Sequence, residues 1–252
     1  TGEDVPAVEP NVPAAPGIAG NTNSLKFDNP RADPADPNNG DAQYAQVFEE
    51  WAGSYKDITI SAWVYSNGSS NWNRILDYGN DNGNYMMICV NVNGDDNDAV
   101  RLAVNVGGTE QTVTAPNDSL PDGEWTHVAA TLSGDTGRVY INGELAATNT
   151  GLTNDPVSYG PTTQNWLGRS QWGAGDGYFN GMIDQLKIWN YGLTTVEVGQ
   201  EYLADTLEDS LCDREIYDQE AYDVNGNCII DLPDFAAFAA RWLENDRIYP
   251  AP

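Results

Sequence analysis

Short runs of apolar residues, separated by Gly, Asn, Asp and Pro, recur along the chain from Ser24 to Trp189. Runs this short, broken so regularly by turn formers, predict antiparallel β-strands and argue against βαβ units. The predicted strands are Ser24–Phe27, Ala42–Phe48, Ile58–Tyr65, Asn73–Tyr78, Tyr85–Val92, Val100–Val106, Gln111–Thr114, Trp125–Leu132, Gly137–Ile141, Glu144–Ala147, Asn165–Gly168 and Gly181–Trp189. In Ile58-Thr-Ile-Ser-Ala-Trp-Val-Tyr65 large and small residues alternate, which sets Ile58, Ile60, Ala62 and Val64 on one face. Successive side chains of a strand point to opposite sides, so that face is expected to be core. Asn142-Gly143 falls between two such runs and tolerates the positive φ angles that a two-residue hairpin demands. After Trp189 the period changes. Thr194 precedes Glu197 by three residues, and Val198, Tyr202 and Leu203 follow at helical spacing, which predicts a short capped helix closing the sandwich.

The pattern divides the chain into four parts. Residues 1–22 form a Pro/Ala-rich extended N-terminal arm, 23–192 the β-sandwich, 193–211 a linker helix and 212–252 a small C-terminal appendage. The arm carries Pro6, Pro10, Pro13 and Pro16 and too few large apolar groups to fold alone. It reads either as a linker left after removal of an export signal or as a strand or polyproline arm that docks on a neighbouring subunit. No apolar run of about 18 residues occurs, so no membrane-spanning helix is expected.

Charge narrows the partners. Thirty-eight acidic residues against 11 basic ones give a net charge of −27, a field that repels nucleic-acid phosphates and anionic membranes. Divalent cations or external salt would relieve that repulsion, so a secreted or cell-surface location with its signal peptide removed is expected. Of the 3 cysteines, Cys89 lies in an apolar run and reads as a buried thiol, whereas Cys212 and Cys228 flank an Asp-rich segment and read as a disulfide. A cytosolic chain with all of them reduced is the other reading.

Three stretches in order carry a resemblance. They are Ile58-Thr-Ile-Ser-Ala-Trp-Val-Tyr65; Gly123-Glu-Trp-Thr-His-Val-Ala-Ala130 with Val139-Tyr-Ile-Asn-Gly143; and Phe179-Asn-Gly-Met-Ile-Asp-Gln-Leu-Lys-Ile-Trp-Asn190. Together they resemble the laminin-G-like/concanavalin-A-like superfamily over about residues 24 to 200. The resemblance implies an all-β, two-sheet antiparallel jelly roll, whose sheet faces and loops are free for ligands. It also implies a packing role for His127, the only histidine. Glycosidases of this architecture set their acids in a Glu-x-Asp-x-x-Glu spacing on one strand face. That spacing is absent, and Asp184 has no acid two or four positions away, so a non-catalytic protein is expected.

Calcium chemistry is suggested by Asp223-Val-Asn225-Gly-Asn227-Cys-Ile229-Ile-Asp231-Leu-Pro-Asp234, which resembles a single dockerin-type or EF-hand-like loop. Oxygen side chains at positions 1, 3 and 5, a carbonyl from Ile229 at 7, Asp231 at 9 and Asp234 at 12 supply the oxygen shell Ca2+ needs. Position 6, usually Gly, is Cys228, and the two Asn residues lower the ligand charge. The next segment carries Phe235, Phe238, Trp242 and Leu243 at helical spacing, an apolar face in want of a partner. The superfamily resemblance implies a second Ca2+ between the first strand and the last motif, at Asp28 and Asp184.

Four aromatic residues in polar, Gly-rich segments, Trp72, Trp166, Trp172 and Tyr178, are candidates for stacking on sugar rings. Two functions follow. One is a calcium-stabilised cell-surface or extracellular structural subunit that associates with itself or with other surface proteins through the segments at its termini. The alternative is a carbohydrate-binding or adhesion module with glycan partners. A glycoside hydrolase is the least favoured.

Overall fold

The computed structural model describes residues 7–10, 23–29, 42–47, 55–68, 72–92 and 98–206, together with residue 236. By its internal contacts the chain divides into two units, Thr1–Leu207 and Glu208–Pro252. The first unit is a two-sheet sandwich. Its strands are β1 (Ala7–Pro10), β2 (Asn23–Phe27), β3 (Ala45–Gln46), β4 (Ile58–Ser66), β5 (Asn73–Asp81), β6 (Asn84–Val90), β7 (Arg101–Val106), β8 (Thr109–Thr114), β9 (Trp125–Ser133), β10 (Thr136–Ile141), β11 (Glu144–Asn149), β12 (Gln164–Leu167) and β13 (Gly181–Trp189), followed by helix α1 (Thr195–Ala204). A seven-stranded sheet runs β1-β2-β13-β4-β9-β10-β11 and a six-stranded sheet runs β3-β12-β5-β6-β7-β8. Neighbouring strands pair antiparallel throughout both sheets.

The core lies between the sheets. Ile58, Ile60, Ala62 and Val64 of β4 point inward, as their alternation predicts, beside Val128, Ala130 and Leu132 of β9. They belong to one buried cluster with Leu76, Tyr78, Met86, Ile88, Leu102 and Val104 of the six-stranded sheet. The outward side chains of β4 are buried too, because α1 covers that side: Val198 and Tyr202 of the helix are buried, and Trp63 stacks against both Tyr202 and His127 at 5.6 and 5.3 Å. The helix begins where expected. The Thr194 hydroxyl accepts from Glu197 N, and the Glu197 carboxylate accepts from Thr194 N at 2.8 Å, which ties both ends of the first turn.

His127 is 1% exposed, and its Nε2 lies 2.7 Å from the Glu201 carboxylate, which also takes the Lys187 ammonium. Burial pushes the Glu201 carboxyl up, but His127 and Lys187 outweigh that and hold it below the usual carboxylate range. His127 therefore serves as the packing residue that joins β9 to α1.

Three expectations change. The arm includes a strand: Ala7–Pro10 pairs with Leu25 and its neighbours on β2 of the same chain, so this part of the N-terminus extends the seven-stranded sheet. The linker helix is part of the sandwich unit, which continues to Leu207. Ala42–Phe48 shortens to the two-residue β3.

The hairpin between β10 and β11 turns at Asn142 (φ 50°) and Gly143 (φ 78°) as expected. Gly181, which starts β13, has φ 155°, and a Cβ there would lie 2.0 Å from the Tyr65 carbonyl oxygen. We expect Gly181→Ala to lower stability by more than about 3 kcal/mol in urea denaturation, because neither backbone can retreat without breaking the β4–β13 ladder. A loss under about 1 kcal/mol would show that this close approach is not structural.

Candidate functional site on the six-stranded sheet

The outward face of the six-stranded sheet is built by register. Gln46, Trp166, Asp77, Met87, Ala103 and Thr112 pair in succession across all six strands, and Arg74, Cys89, Arg101 and Thr114 form the adjacent row. Arg74 and Asp77 are three residues apart, which would put them on opposite faces of a regular strand. A bulge between Arg74 and Leu76 shifts the parity, so that Ile75 and Leu76 both enter the core and both charged groups face outward.

Arg74 is 1% and Asp77 0% exposed. Arg74 Nε donates to Asp77 at 3.1 Å, Nη2 to Asp176 at 2.9 Å and Nη1 to the Trp72 carbonyl at 2.6 Å. Asp77 also accepts from Gln171 N and Nε2, each at 3.1 Å. Ser170 Oγ donates to Asp176 at 2.8 Å and accepts from Trp172 N at 2.9 Å. Buried charges persist only when paired and hydrogen-bonded in this way. The network thus pins the 170–176 loop and holds Trp172 in place. The Trp172 ring is 40% exposed, packs edge-on against Tyr85 at 5.1 Å, and donates Nε1 to the Asn82 side chain at 3.2 Å.

Two ladders of alternating rings and guanidinium groups cross this face. In the first, Arg74 lies 5.8 Å from both the Trp172 and the Trp72 ring, and Arg101 lies 5.7 Å from the Trp72 ring. In the second, Arg169 sits 4.4 Å from Tyr44 and 4.6 Å from Trp166, and Tyr44 packs on Tyr178 at 6.3 Å. Trp72 holds φ 60°, a conformation rare for a bulky residue, with its N–H on the Asn91 carbonyl at 2.9 Å. All four aromatic residues singled out from sequence therefore meet on one face, and the two ladders adjoin because Trp166 is the cross-strand partner of Asp77. Reasoning from sequence missed Arg74, Asp77, Tyr44, Arg169 and Asp176. Only the bulge brings Arg74 and Asp77 together, and nothing in an Ile-Leu dipeptide announces it.

Burial pushes the Asp77 carboxyl up to about 6, against the opposing pull of Arg74 and Gln171. The folded state therefore binds a proton more tightly than the unfolded chain, and stability should rise as pH falls from about 7 toward 4. Over that window the effect is about 3 kcal/mol. Melting temperatures from pH 7.5 to 4.5 should show it, and Asp77→Asn should flatten the curve; an equal slope in the variant would assign the effect to other carboxylates. Cys89, beneath Trp72 in this face, is a buried free thiol as expected, with its pKa pushed up to about 11 by burial.

Residues 39–199 match the profile of the concanavalin A-like lectin/glucanases superfamily, Laminin_G_3. The chain belongs to this family. Rat and mouse sushi, von Willebrand factor type A, EGF and pentraxin domain-containing protein 1 are each 31% identical to it over 56% of the chain. The chain spans only 4% of the length of those relatives. Among solved structures, domain 4 of AbnA, an extracellular arabinanase of Geobacillus stearothermophilus, in complex with arabinotriose, superposes with a TM-score of 0.52 at 20% identity, covering 71% of this chain and 76% of that one. The CBM40 of the Ruminococcus gnavus IT-sialidase bound to α2,3-sialyllactose superposes with a TM-score of 0.50 at 16% identity, covering 62% and 94%. A leech intramolecular trans-sialidase gives 0.51 at 18% identity, with 66% and 27% covered. These likenesses show the fold, a lectin-like jelly roll.

The expected superfamily calcium pair is not brought together. Continuing the β2–β13 register, Gly181 opposite Phe27 to Ile183 opposite Leu25, by one residue at each end sets Asp28 opposite Asn180 and Asp184 opposite Ser24, four residues or roughly 13 Å apart along the strands. Asp28 is exposed, with its N–H on Gln43 Oε1 at 2.8 Å, and Asp184 accepts from Gln185 N at 2.8 Å. These two residues do not fit a shared ion. Among the described residues no group of three or more His, Cys, Asp or Glu converges for a metal. The loop ligands Asp223, Asn225, Asn227, Ile229, Asp231 and Asp234, and Cys212 with Cys228, lie outside the described residues. No described helix is long and apolar enough to cross a membrane.

Proposed function

We propose that the chain is an exported carbohydrate-binding or adhesion module that holds glycans across the outward face of its six-stranded sheet. The observation that carries this reading is the pair of adjoining aromatic–guanidinium ladders, with Trp172 presented by a buried polar network. Sugar rings offer C–H faces that stack on Trp and Tyr, and hydroxyls that bond to nearby amide and carboxylate groups. Here Gln171, Asn82 and Asp176 stand beside Trp172. Rigid placement by Arg74 and Asp77 reduces the entropy lost on binding.

The family and the sugar-bearing complexes of similar fold support this reading over the structural subunit. Self-association through the N-terminal arm has less support, since Ala7–Pro10 already pair within their own sheet. Calcium bound by the loop at Asp223–Asp234 would then stabilise the C-terminal unit and leave the sugar face to the sandwich. The buried Arg74–Asp77 pair is read as structural: Asp77 is 0% exposed and so out of reach of a glycosidic bond. A glycan array and affinity electrophoresis with the full chain test the proposal. Retention by at least one polysaccharide is expected, and no retention in any series contradicts it.

A further inference from the structure

Basic groups are scarce in this protein, 11 in 252 residues, against 38 acidic ones. Three of them, Arg74, Arg101 and Arg169, stand on the single face described above. Among the described residues only Arg74 is neutralised there, by Asp77 and Asp176. Arg101 Nε donates to the Thr114 hydroxyl at 2.9 Å and pairs with no carboxylate among the described residues. Arg169 has neither a carboxylate nor a hydrogen-bond acceptor among the described residues, and its Nε is buried without a partner among them. A buried donor left unpaired is a loss that native structures rarely carry without a reason. In a chain whose acids outnumber its bases more than threefold, acceptors for a guanidinium are abundant, so two arginines on one face with no carboxylate among the described residues call for an external acceptor.

The geometry points to a carboxylate-bearing sugar, a uronic or ulosonic acid residue, as the ligand class, with Arg169 as its principal anchor and Arg101 as a second contact. This rests on the carbohydrate-binding reading of the same face. Close contact with both the Tyr44 and the Trp166 ring restrains the Arg169 guanidinium, which favours a two-pronged bond to a planar carboxylate. Trp166 and Tyr44 then flank the anchor with surfaces for the sugar ring itself. The overall charge of −27 selects further. It repels a densely charged polyanion at long range, so a short or sparsely carboxylated glycan fits better than a heavily sulfated one.

The test compares the full chain with Arg169→Gln and Arg169→Lys by isothermal titration in millimolar calcium at pH 7.5. The probes are trigalacturonate, a glucuronate-terminated disaccharide and 3′-sialyllactose, each beside its neutral counterpart, carboxyl-reduced or desialylated. The wild-type chain is expected to prefer at least one acidic probe about tenfold. Arg169→Gln should bring that ratio near one, and Arg169→Lys, which keeps the charge and loses the fork, should leave it between. Thermal melting establishes that each variant is folded. If neutral glycans bind as tightly as acidic ones, or if Arg169→Gln keeps the preference, the carboxylate inference falls while the carbohydrate-binding reading stands. If no probe and no array glycan binds, the reading itself falls and the inference with it.

Discussion

Arg74→Met should destabilise the fold by about 3–5 kcal/mol at pH 7.5, the largest stability loss expected of any single substitution in the sugar face. The reason is asymmetric. Arg74 is matched by two carboxylates and a carbonyl, and removing it leaves Asp77, 0% exposed, as a buried charge facing only Gln171. Asp77 can escape by taking up a proton, and its carboxyl is already pushed up to about 6. The loss should therefore shrink at pH 5, where the protonated form prevails. A double variant, Arg74→Met with Asp77→Leu, should recover much of the stability, because apolar replacements of buried ion pairs are often well tolerated. Urea denaturation at both pH values reads all three. A single-variant loss below about 1 kcal/mol, or one equal at both pH values, would show that Asp77 is not held as a charge by Arg74.

Trp172→Ala should weaken retention of the bound glycan at least tenfold while leaving the melting temperature within about 2 °C. At 40% the ring is the most exposed aromatic of the two ladders, the others being half-buried, so its loss removes little from the core. Stacking on a sugar face contributes on the order of 1–3 kcal/mol in comparable contacts of large aromatic side chains. Trp166→Ala should weaken binding as well, but it also strips one face from Arg169 and so alters the acid preference in addition to the affinity. Unchanged retention by Trp172→Ala would remove that ring from the site.

Much of this architecture was legible in the sequence, and the reasons are local. Ile58 to Tyr65, the Asn142-Gly143 turn and the Thr194/Glu197 capping box each encode structure within a few residues, and each forms as expected. The four aromatic candidates could be chosen from sequence because they lie in polar, Gly-rich segments where a core Trp would be out of place. Their gathering on one face could not be seen, since it depends on β12 pairing with both β3 and β5 far along the chain. The buried ion pair was hidden for a different reason. Alternation predicts opposite faces for Arg74 and Asp77, and a one-residue bulge reverses that prediction. The Asp28–Asp184 expectation runs against the register: Asp184 lies on β13 and Asp28 one residue past β2, four positions from facing each other. Proline content left the N-terminal arm as a linker or as a strand docking on a neighbouring subunit, but an edge strand needs only one partner, and Ala7–Pro10 finds it in β2 of its own chain.

Hydroxyl-radical footprinting of the full chain, with and without the glycan retained most strongly, locates it directly through aromatic side chains on both sides of the sandwich. Protection of Trp172, Trp166 and Tyr44 on the six-stranded sheet is expected, with Trp189 and Tyr191 beside α1 unchanged. Protection of Trp189 and Tyr191, with Trp172 left as reactive as in the free protein, would contradict this placement of the glycan.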